Sequence, residues 1–286
     1  MNYLEKHIID EHKSELNTCY DDFAREIMAL QNADTFTLLF ATDIHYIREY
    51  APYVPVYKKL KQMVEFSGYV GADLLAVAGD SVDGNTTLDC QYRDLLDVVS
   101  LVKNSKTTSV SFAKGNHDDC SWYAFKNGLG DRGTISAKQW YTHAVNPIRV
   151  QYPITLDNEN ITGGYYYTDY PHLKIRVITL NTNDVPFVPG DDGNFKDNTV
   201  VGQWCLGVGE RQLKWLCETL KFSESGWSVI VIAHSHPGDR ALKNRELLAE
   251  ILDAFKSRKK VLQKVTSSIL KQRQIMILQK ILQMTF

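Results

Sequence analysis

Four clusters of acidic, amide and imidazole side chains stand directly after short apolar runs in this sequence. They are Asp43-Ile44-His45, Gly79-Asp80-Ser81-Val82-Asp83, Gly115-Asn116-His117-Asp118 and His234-Ser235-His236. Such side chains are typical ligands of divalent cations, and a mixed set of Asp, Asn and His suits manganese, iron or zinc better than calcium, which prefers oxygen ligands alone. The clusters therefore predict a metal centre that gathers side chains from distant parts of the chain.

Each cluster also has an ordinary structural explanation. An Asp-x-His sequence after a strand is commonly a solvated turn, and Gly-Asn-His-Asp is compatible with an Asx turn. A single histidine such as His234 is usually structural. The same explanation covers four histidines that follow no apolar run, His7, His12, His143 and His172. The metal interpretation therefore rests on the co-occurrence of the four clusters, each in the same position relative to a separate strand.

A pair of cations would need a ligand that both can share. Two divalent cations about 3.5–4 Å apart can hold the attacking and leaving oxygens of an in-line displacement, and a carboxylate that touches both fits between them. Asp80 is the natural bridging ligand of this set. Glycines beside Asp80 and Asn116 allow the sharp backbone turns that would point these side chains inward.

The elements that must position these residues follow from the apolar pattern. Short runs rich in β-branched and aromatic residues predict strands at 35–41, 72–78, 108–113, 174–180 and 227–233. Their near-continuous apolar character is typical of strands covered on both faces. Helical periodicity is present between them, at 57–67, 87–103, 208–220 and 241–256. The alternation predicts a layered α/β domain, in which the carboxyl ends of the strands share one rim where ligands bind.

Two segments interrupt this alternation. Residues 163–180 predict two strands around a proline-containing turn, with tyrosines packed on the sheet face. Residues 182–207 contain prolines, glycines and acidic residues, and their length and composition favour a functional loop over a site.

The domain is expected to span residues 34–256, between a helical extension at 1–33 and a basic tail at 257–286. From Ala254 onward the sequence has eight Lys or Arg and no Asp or Glu. Three interpretations of the tail are open: a terminal helix docked on the domain, a basic amphipathic helix that binds membranes or acidic partners, and a segment translated out of frame.

Composition excludes several classes of protein. The 286 residues include 32 Lys and Arg against 34 Asp and Glu, and a net charge of −2 does not favour a nucleic acid as partner. Hydrophobic residues make up 44%, more than disordered chains contain. We expect no signal peptide, no membrane span and a cytoplasmic location, because the first residues are charged and no apolar run reaches about 18 residues. The five cysteines form no Cys-x-x-Cys pair, which indicates reduced thiols.

Through these clusters the sequence resembles the calcineurin-like metallophosphoesterase superfamily, over roughly residues 35–240. The resemblance implies a sandwich of two mixed β-sheets flanked by helices, two divalent metal ions (manganese, iron or zinc) and a phosphate-ester substrate. It implies metal ligands at Asp43 and His45 for the first ion, at Asp80 for both, and at Asn116 and His234 for the second.

The same resemblance implies a mechanism. A hydroxide held between the two metals would attack phosphorus. His117 would stabilise the transition state or protonate the leaving oxygen, and Asp83 would orient His117.

The sequence departs from the family pattern at its carboxyl-terminal side. The family supplies two more ligands from a late Gly-His-x-His motif, and no histidine follows His236 here. His234-Ser235-His236 could be that late motif, but the preceding segments favour the earlier histidine position, which leaves His236 as a neighbour of the site or a substitute ligand. One hypothesis explains both the missing motif and the change of composition in the tail: a frameshift or truncation replaced the family's carboxyl-terminal part. This hypothesis predicts missing strands and an exposed sheet edge.

Three functions remain in view. The first is a metal-dependent phosphoesterase, intact or impaired, that hydrolyses a phosphomonoester or phosphodiester. The second is a non-catalytic scaffold of the same fold, or an inactive truncated product. The third, a nuclease-like protein whose basic tail binds nucleic acid, is disfavoured by the overall charge. The residues assign neither a substrate nor an oligomeric state.

Overall fold

In the part of the chain that the structure describes, two four-stranded β-sheets pack face to face, with helices covering their outer faces. This architecture comes from a computed structural model that describes residues 20–48, 54–187, 190–193, 206–221, 226–266 and 275–278. The sandwich of two sheets flanked by helices confirms the α/β architecture expected from the sequence.

The first sheet is parallel throughout its described strands. In spatial order its strands are β3 (Ser109–Ala113), β2 (Leu74–Ala78), β1 (Phe36–Ala41) and β8 (Ile275–Leu278). Two crossover helices connect the first three strands along the chain, α2 (Val54–Tyr69) and α3 (Leu88–Val102). Because all three strands run in the same direction, their carboxyl ends lie at one rim.

The second sheet is mixed. Its strands are β4 (Thr155–Leu156), β5 (Tyr166–Tyr170), β6 (Ile175–Thr179) and β7 (Ser228–Ile232), in that spatial order. The first two pairs are antiparallel, and β6 pairs with β7 in parallel. Helices α7 (Glu210–Lys221) and α8 (Arg245–Thr266) belong to this half of the protein, and their described apolar side chains share a core with β6 and β7.

Alternation along the strands divides the core into layers. Phe36 and Leu38 of β1 point into the space between the sheets, where they meet Ile175 and Val177 of β6. The intervening Leu39 packs on the opposite face, with helix side chains. Strands buried on both faces account for the near-continuous apolar runs of the sequence.

Polar groups also join the two sheets. Ser111 and Thr179 share a hydrogen bond of 2.8 Å between their hydroxyl oxygens. The Tyr166 hydroxyl accepts the backbone N–H of Phe112 at 2.7 Å. These side chains are buried, so each polar group has its partner inside the core.

The remaining helices lie around the first sheet and in the connection between the sheets. They are α1 (residues 20–30), α4 (Ser121–Lys126), a 3₁₀ turn (Gly130–Gly133), α5 (Ala137–Trp140), a π-helical turn (Tyr141–Val145) and α6 (Asn146–Gln151). Helix α1 docks on α2, where Phe23 stacks on Phe66 with 5.8 Å between ring centroids.

All five strands predicted from apolar runs are present, and so are the helices predicted between them. The turn in 163–180 joins β5 to β6, as expected. Most of the predicted loop at 182–207 lies outside the described residues, as do residues 1–19 of the amino-terminal extension.

The carboxyl-terminal segment, as far as the structure describes it, contains the end of helix α8 and strand β8. Helix α8 continues across residue 256 to Thr266, and β8 pairs with β1 at one edge of the first sheet. A four-residue apolar run, Ile275–Leu278, provides this strand. Replacement of the carboxyl-terminal part remains a prediction. The division into an extension, a domain and a tail remains a prediction. Among the described helices, none is both long and apolar enough to cross a bilayer.

Candidate metal centre

The loops that follow β1 and β2 run side by side at the rim. The backbone N–H of Asp43 donates to the Gly79 carbonyl at 3.2 Å, and the N–H of His45 donates to the Asp80 carbonyl at 2.9 Å. The first two ligand clusters are therefore joined by backbone hydrogen bonds, which fix their side chains relative to each other.

Three of the predicted ligands have an uncommon backbone conformation. Asp43, His45 and Asp80 have φ values of 53°, 47° and 48°, in the left-handed region that non-glycine residues rarely occupy. Each such residue costs about 1–3 kcal/mol and persists where the surrounding structure imposes it, which is common at functional sites. The hydrogen bonds between the two loops supply that constraint.

Asp80 lies at the centre of the arrangement and is only 3% exposed. Its Oδ2 is 3.3 Å from His234 Nε2 and 3.7 Å from His45 Nε2. Its Oδ1 accepts the backbone N–H of His117 at 2.9 Å. A single buried carboxylate thus contacts residues from three other loops, which is the placement expected of a ligand shared by two cations.

The first group of possible ligands is Asp43, His45 and Asp80. One ligand atom from each lies within 4.8 Å of the others. Asp43 Oδ1 is 4.0 Å from His45 Nε2, and Asp43 is exposed while Asp80 is buried. Carboxylate oxygens and an imidazole nitrogen at these separations fit a divalent cation of the manganese, iron or zinc type.

The second group joins the two sheets. His234, which follows β7, places Nε2 3.0 Å from Asn116 Oδ1, and its Nδ1 is 3.0 Å from the Ala78 carbonyl. The carbonyl contact orients the imidazole so that Nε2 faces Asp80 and Asn116. Such a partner on the second ring nitrogen is the usual arrangement for a histidine that binds a metal.

The contact between Asp80 and His234 shifts the pKa of both side chains. Burial by itself would raise the pKa of Asp80, but the hydrogen bond from His234 holds it below its ordinary value. Burial by itself would lower the pKa of His234, yet hydrogen bonding and charge interaction with Asp80 raise it to about 9. A cation that binds His234 Nε2 would take the place of this proton.

His117 lies beside the first group. Its ring is 4.6 Å from the ring of His45, at an interplanar angle of 84°. Its Nδ1 lies 2.5 Å from the backbone carbonyl oxygen of Asp83, while the Asp83 carboxylate is 3.9 Å from His45 Nδ1. The contact between Asp83 and His117 is therefore made by the main chain of Asp83.

Asp118 connects the loop that carries Asp80 to the loop that carries Asn116. The sequence pattern does not predict this role. Its buried carboxylate accepts three hydrogen bonds, from Ser81 Oγ at 2.8 Å, Val82 N–H at 3.1 Å and Gly115 N–H at 2.7 Å. Burial and the negative charge of Asp80 raise the pKa of Asp118. Its place in the Gly-Asn-His-Asp cluster was the available signal, but spacing alone does not distinguish a supporting carboxylate from a ligand.

The glycines of these loops allow very close packing. A Cβ on Gly115 would lie 2.1 Å from the backbone nitrogen of Asp80, and one on Gly84 would lie 2.2 Å from the carbonyl oxygen of His117. Both distances are far below any real contact, so the loops can approach this closely only where these positions lack a side chain.

Replacement of Gly84 by alanine is expected to lower the free energy of unfolding more than the same replacement at Gly128. The two glycines share a left-handed φ, 73° and 64°, so both variants lose about 1–2 kcal/mol to backbone strain. Only at Gly84 does the new methyl meet the His117 backbone, whereas at Gly128 no atom of the described residues lies within 4 Å of the added Cβ. Overpacking of this kind adds about 1–3 kcal/mol.

Denaturant titration of Gly84→Ala and Gly128→Ala measures the difference directly. Equal losses of stability in the two variants would show that the loops separate easily, and would contradict a tightly packed site.

All seven predicted site residues are connected by these contacts. They are Asp43, His45, Asp80, Asp83, Asn116, His117 and His234. His236 is exposed, and its Nδ1 accepts the N–H of Gly238 at 2.9 Å. In the part of the chain that the structure describes, the His and Asp side chains close enough to share a cation form two sets, Asp43–His45–Asp80 and His45–Asp83–His117, and neither set includes His236. The arrangement can therefore hold cations at a rim where side chains from the loops after four strands meet.

Comparisons with known proteins identify a matching family model and a solved structure of similar fold. The family model described as calcineurin-like phosphoesterase matches residues 36–255. A crystal structure of a dimetal phosphatase from Danio rerio superimposes with a TM-score of 0.54 at 18% identity, covering 77% of each chain. A search of curated proteins found no match.

Two other solved structures are more distantly similar. The protein TT1561 of Thermus thermophilus has a TM-score of 0.39 at 13% identity, covering 77% of this chain and 78% of the other. The purple acid phosphatase PPD1 from yellow lupin has a TM-score of 0.39 at 14% identity, covering 71% of this chain and 31% of that one.

Proposed function

Because the chain belongs to the calcineurin-like phosphoesterase family, we propose that it hydrolyses a phosphomonoester or phosphodiester at this centre with two bound divalent cations. The observation that carries the proposal is the buried carboxylate of Asp80, which has His45 and His234 at its Oδ2 and the His117 backbone at its Oδ1. A structural role for Asp80 alone would not require two imidazoles to face the same oxygen.

The ligand assignment follows from the two groups of side chains. In this proposal Asp43 and His45 hold one cation, Asn116 and His234 hold the other, and Asp80 binds both. The cations supply a nucleophilic water at neutral pH and a positive charge that stabilises the transition state. The choice among manganese, iron and zinc belongs to the same proposal, since the mixed oxygen and nitrogen donors suit each of them.

His117 acts on the leaving group in this proposal. The Asp83 carbonyl accepts the proton on His117 Nδ1, so Nε2 is the ring atom available to the substrate. When protonated at both nitrogens, the imidazolium donates its Nε2 proton to the leaving oxygen, or stabilises the charge that develops there, and keeps the Nδ1 proton on the Asp83 carbonyl. The His45 ring, packed edge to face at 4.6 Å, limits the rotation of the His117 ring.

The purified chain is expected to bind two equivalents of manganese or zinc and to hydrolyse an aryl phosphate only when loaded. Metal content can be measured by elemental analysis after dialysis, and hydrolysis before and after chelation. The variant His172→Ala serves as a control, because His172 is an exposed histidine in the turn between β5 and β6. It should match the parent chain in both measurements.

The outcomes separate a catalyst from a scaffold. Two bound cations with metal-dependent hydrolysis support the proposal. Stoichiometric metal binding without turnover of aryl phosphates or of phosphodiesters would favour the non-catalytic scaffold. A folded chain that binds no cation at all would contradict the proposed centre.

A further inference from the structure

A single peptide group, the one between Asp83 and Gly84, holds the imidazole of His117. Its carbonyl oxygen lies 2.5 Å from His117 Nδ1. Its N–H, on the opposite side, donates to Oε1 of Gln91 at 3.1 Å. The orientation of this peptide therefore sets the direction of the His117 ring, and Gln91 fixes the orientation of the peptide.

Gln91 lies in the first turns of α3 and is completely buried, with 0% of its surface exposed. Its Nε2 donates to the backbone carbonyl oxygen of His117 at 3.1 Å. The side-chain amide thus bonds through both ends, one to each of the loops that meet at the site. If the amide were rotated by 180°, its NH₂ group would face the Gly84 N–H and its oxygen would face the His117 carbonyl oxygen. Neither hydrogen bond could then form, so only one orientation is stable.

The two loops have no room for another link at this point. A Cβ on Gly84 would lie 2.2 Å from the His117 carbonyl oxygen, so no side chain fits between them. The backbone N–H of His117 is already bonded to Asp80 Oδ1. The His117 carbonyl accepts the Cys120 N–H at 3.5 Å and, more closely, Gln91 Nε2 at 3.1 Å, and the Gly84 N–H donates to Gln91 Oε1. Of these partners, Gln91 in α3 is the one that bonds to both loops.

We propose that Gln91 is a positioning residue for phosphoester hydrolysis, and that its amide aims the His117 imidazole at the leaving oxygen through the Asp83–Gly84 peptide. The inference rests on the proposed function for the role of His117. Gln91 contacts neither the cations nor the substrate in this arrangement, and it acts only through the backbone that carries the imidazole.

Two substitutions test the amide. Gln91→Met keeps a similar size and loses both hydrogen bonds. Gln91→Glu keeps an acceptor for the Gly84 N–H but places a carboxylate oxygen against the His117 carbonyl. Val98→Ala is the matched control, because Val98 lies two turns along the same helix, is also 0% exposed and contacts no site residue through a hydrogen bond.

Both Gln91 variants are expected to lower kcat by roughly ten- to a hundredfold, the usual effect of losing a residue that orients a functional group. KM and metal content should stay at the parent values, since the ligands keep their own contacts. Val98→Ala should lower the melting temperature and leave kcat unchanged at a temperature where every variant is folded.

Nitrogen-15 NMR of the metal-free protein gives a readout independent of catalysis. The His117 ring signals, assigned by their loss in His117→Gln, should shift in Gln91→Met and in Gln91→Glu but not in Val98→Ala. If the parent chain hydrolyses no phosphoester, the proposed function is wrong. The His117 ring signals would still show whether Gln91 positions the imidazole. Unchanged kcat and unchanged His117 signals in a folded Gln91→Met protein would overturn the inference, and Gln91→Glu decides in the same way if Gln91→Met does not fold.

Discussion

Asp80→Asn is expected to remove nearly all hydrolysis and most bound metal from the protein. The substitution keeps the size of the side chain and an oxygen that can accept the His117 N–H. It replaces the other oxygen, which faces His45 and His234, with an amide nitrogen that cannot bind a cation. Both proposed metal positions lose a ligand in a single step, so the effect should exceed the loss from removing one ligand that serves one ion.

The expected fall in kcat/KM is at least about 10³-fold, the upper end of what a single lost transition-state contact costs. Elemental analysis of the variant should show less than one cation per chain. Asp34→Asn is a suitable control, because Asp34 is an exposed carboxylate just before β1. A variant that keeps the parent rate and two cations would show that Asp80 is structural, and the dinuclear proposal would then be wrong.

His117→Gln is expected to slow hydrolysis while leaving the cations in place. The loss of a general acid typically reduces the rate by about 10²–10⁴-fold. The five proposed ligands keep their own side chains, so metal content should match the parent. The separation between rate and metal content distinguishes His117 from the residues proposed to hold the ions.

The choice of substrate sharpens this test. Proton donation matters most when the leaving oxygen is strongly basic, so the loss should be larger for an alkyl phosphate than for an aryl phosphate with an acidic phenol. Equal losses on both substrates would indicate that His117 stabilises charge without donating a proton. His143→Ala is a control, since His143 contacts Tyr92 and lies outside the groups of possible ligands. A parent-like rate in His117→Gln on both substrates would contradict any catalytic role.

The strands and the position of the site could be predicted from the sequence because one physical rule connects them. Parallel strands buried on both faces require near-continuous apolar runs, and residues after such runs lie at one rim. Asp43, Asp80, Asn116 and His234 follow four of these runs, and the structure brings them together. The arrangement in two sheets came from the family resemblance, since apolar runs alone do not say which strands pair.

Other features of the site left no such signal. Gln91 is a polar residue in a helix with an apolar face, and residues of that kind are usually solvated; its burial depends on loops that belong to other parts of the chain. The Asp83 contact with His117 runs through a carbonyl oxygen, and every residue has one, so residue type carries no information about it. The left-handed backbone at His45 is likewise imposed by tertiary hydrogen bonds against its local preference.

Of the proposed ligands, His234 alone follows a strand of the second sheet, and the other four follow strands of the first. A cation held by both sets would act as a cross-link between the two halves of the sandwich. Its binding free energy would then add to the free energy that keeps the halves together. Amide hydrogens of β6 and β7 would exchange with solvent more slowly in the loaded protein than after chelation, although neither strand contributes a ligand from within its own length.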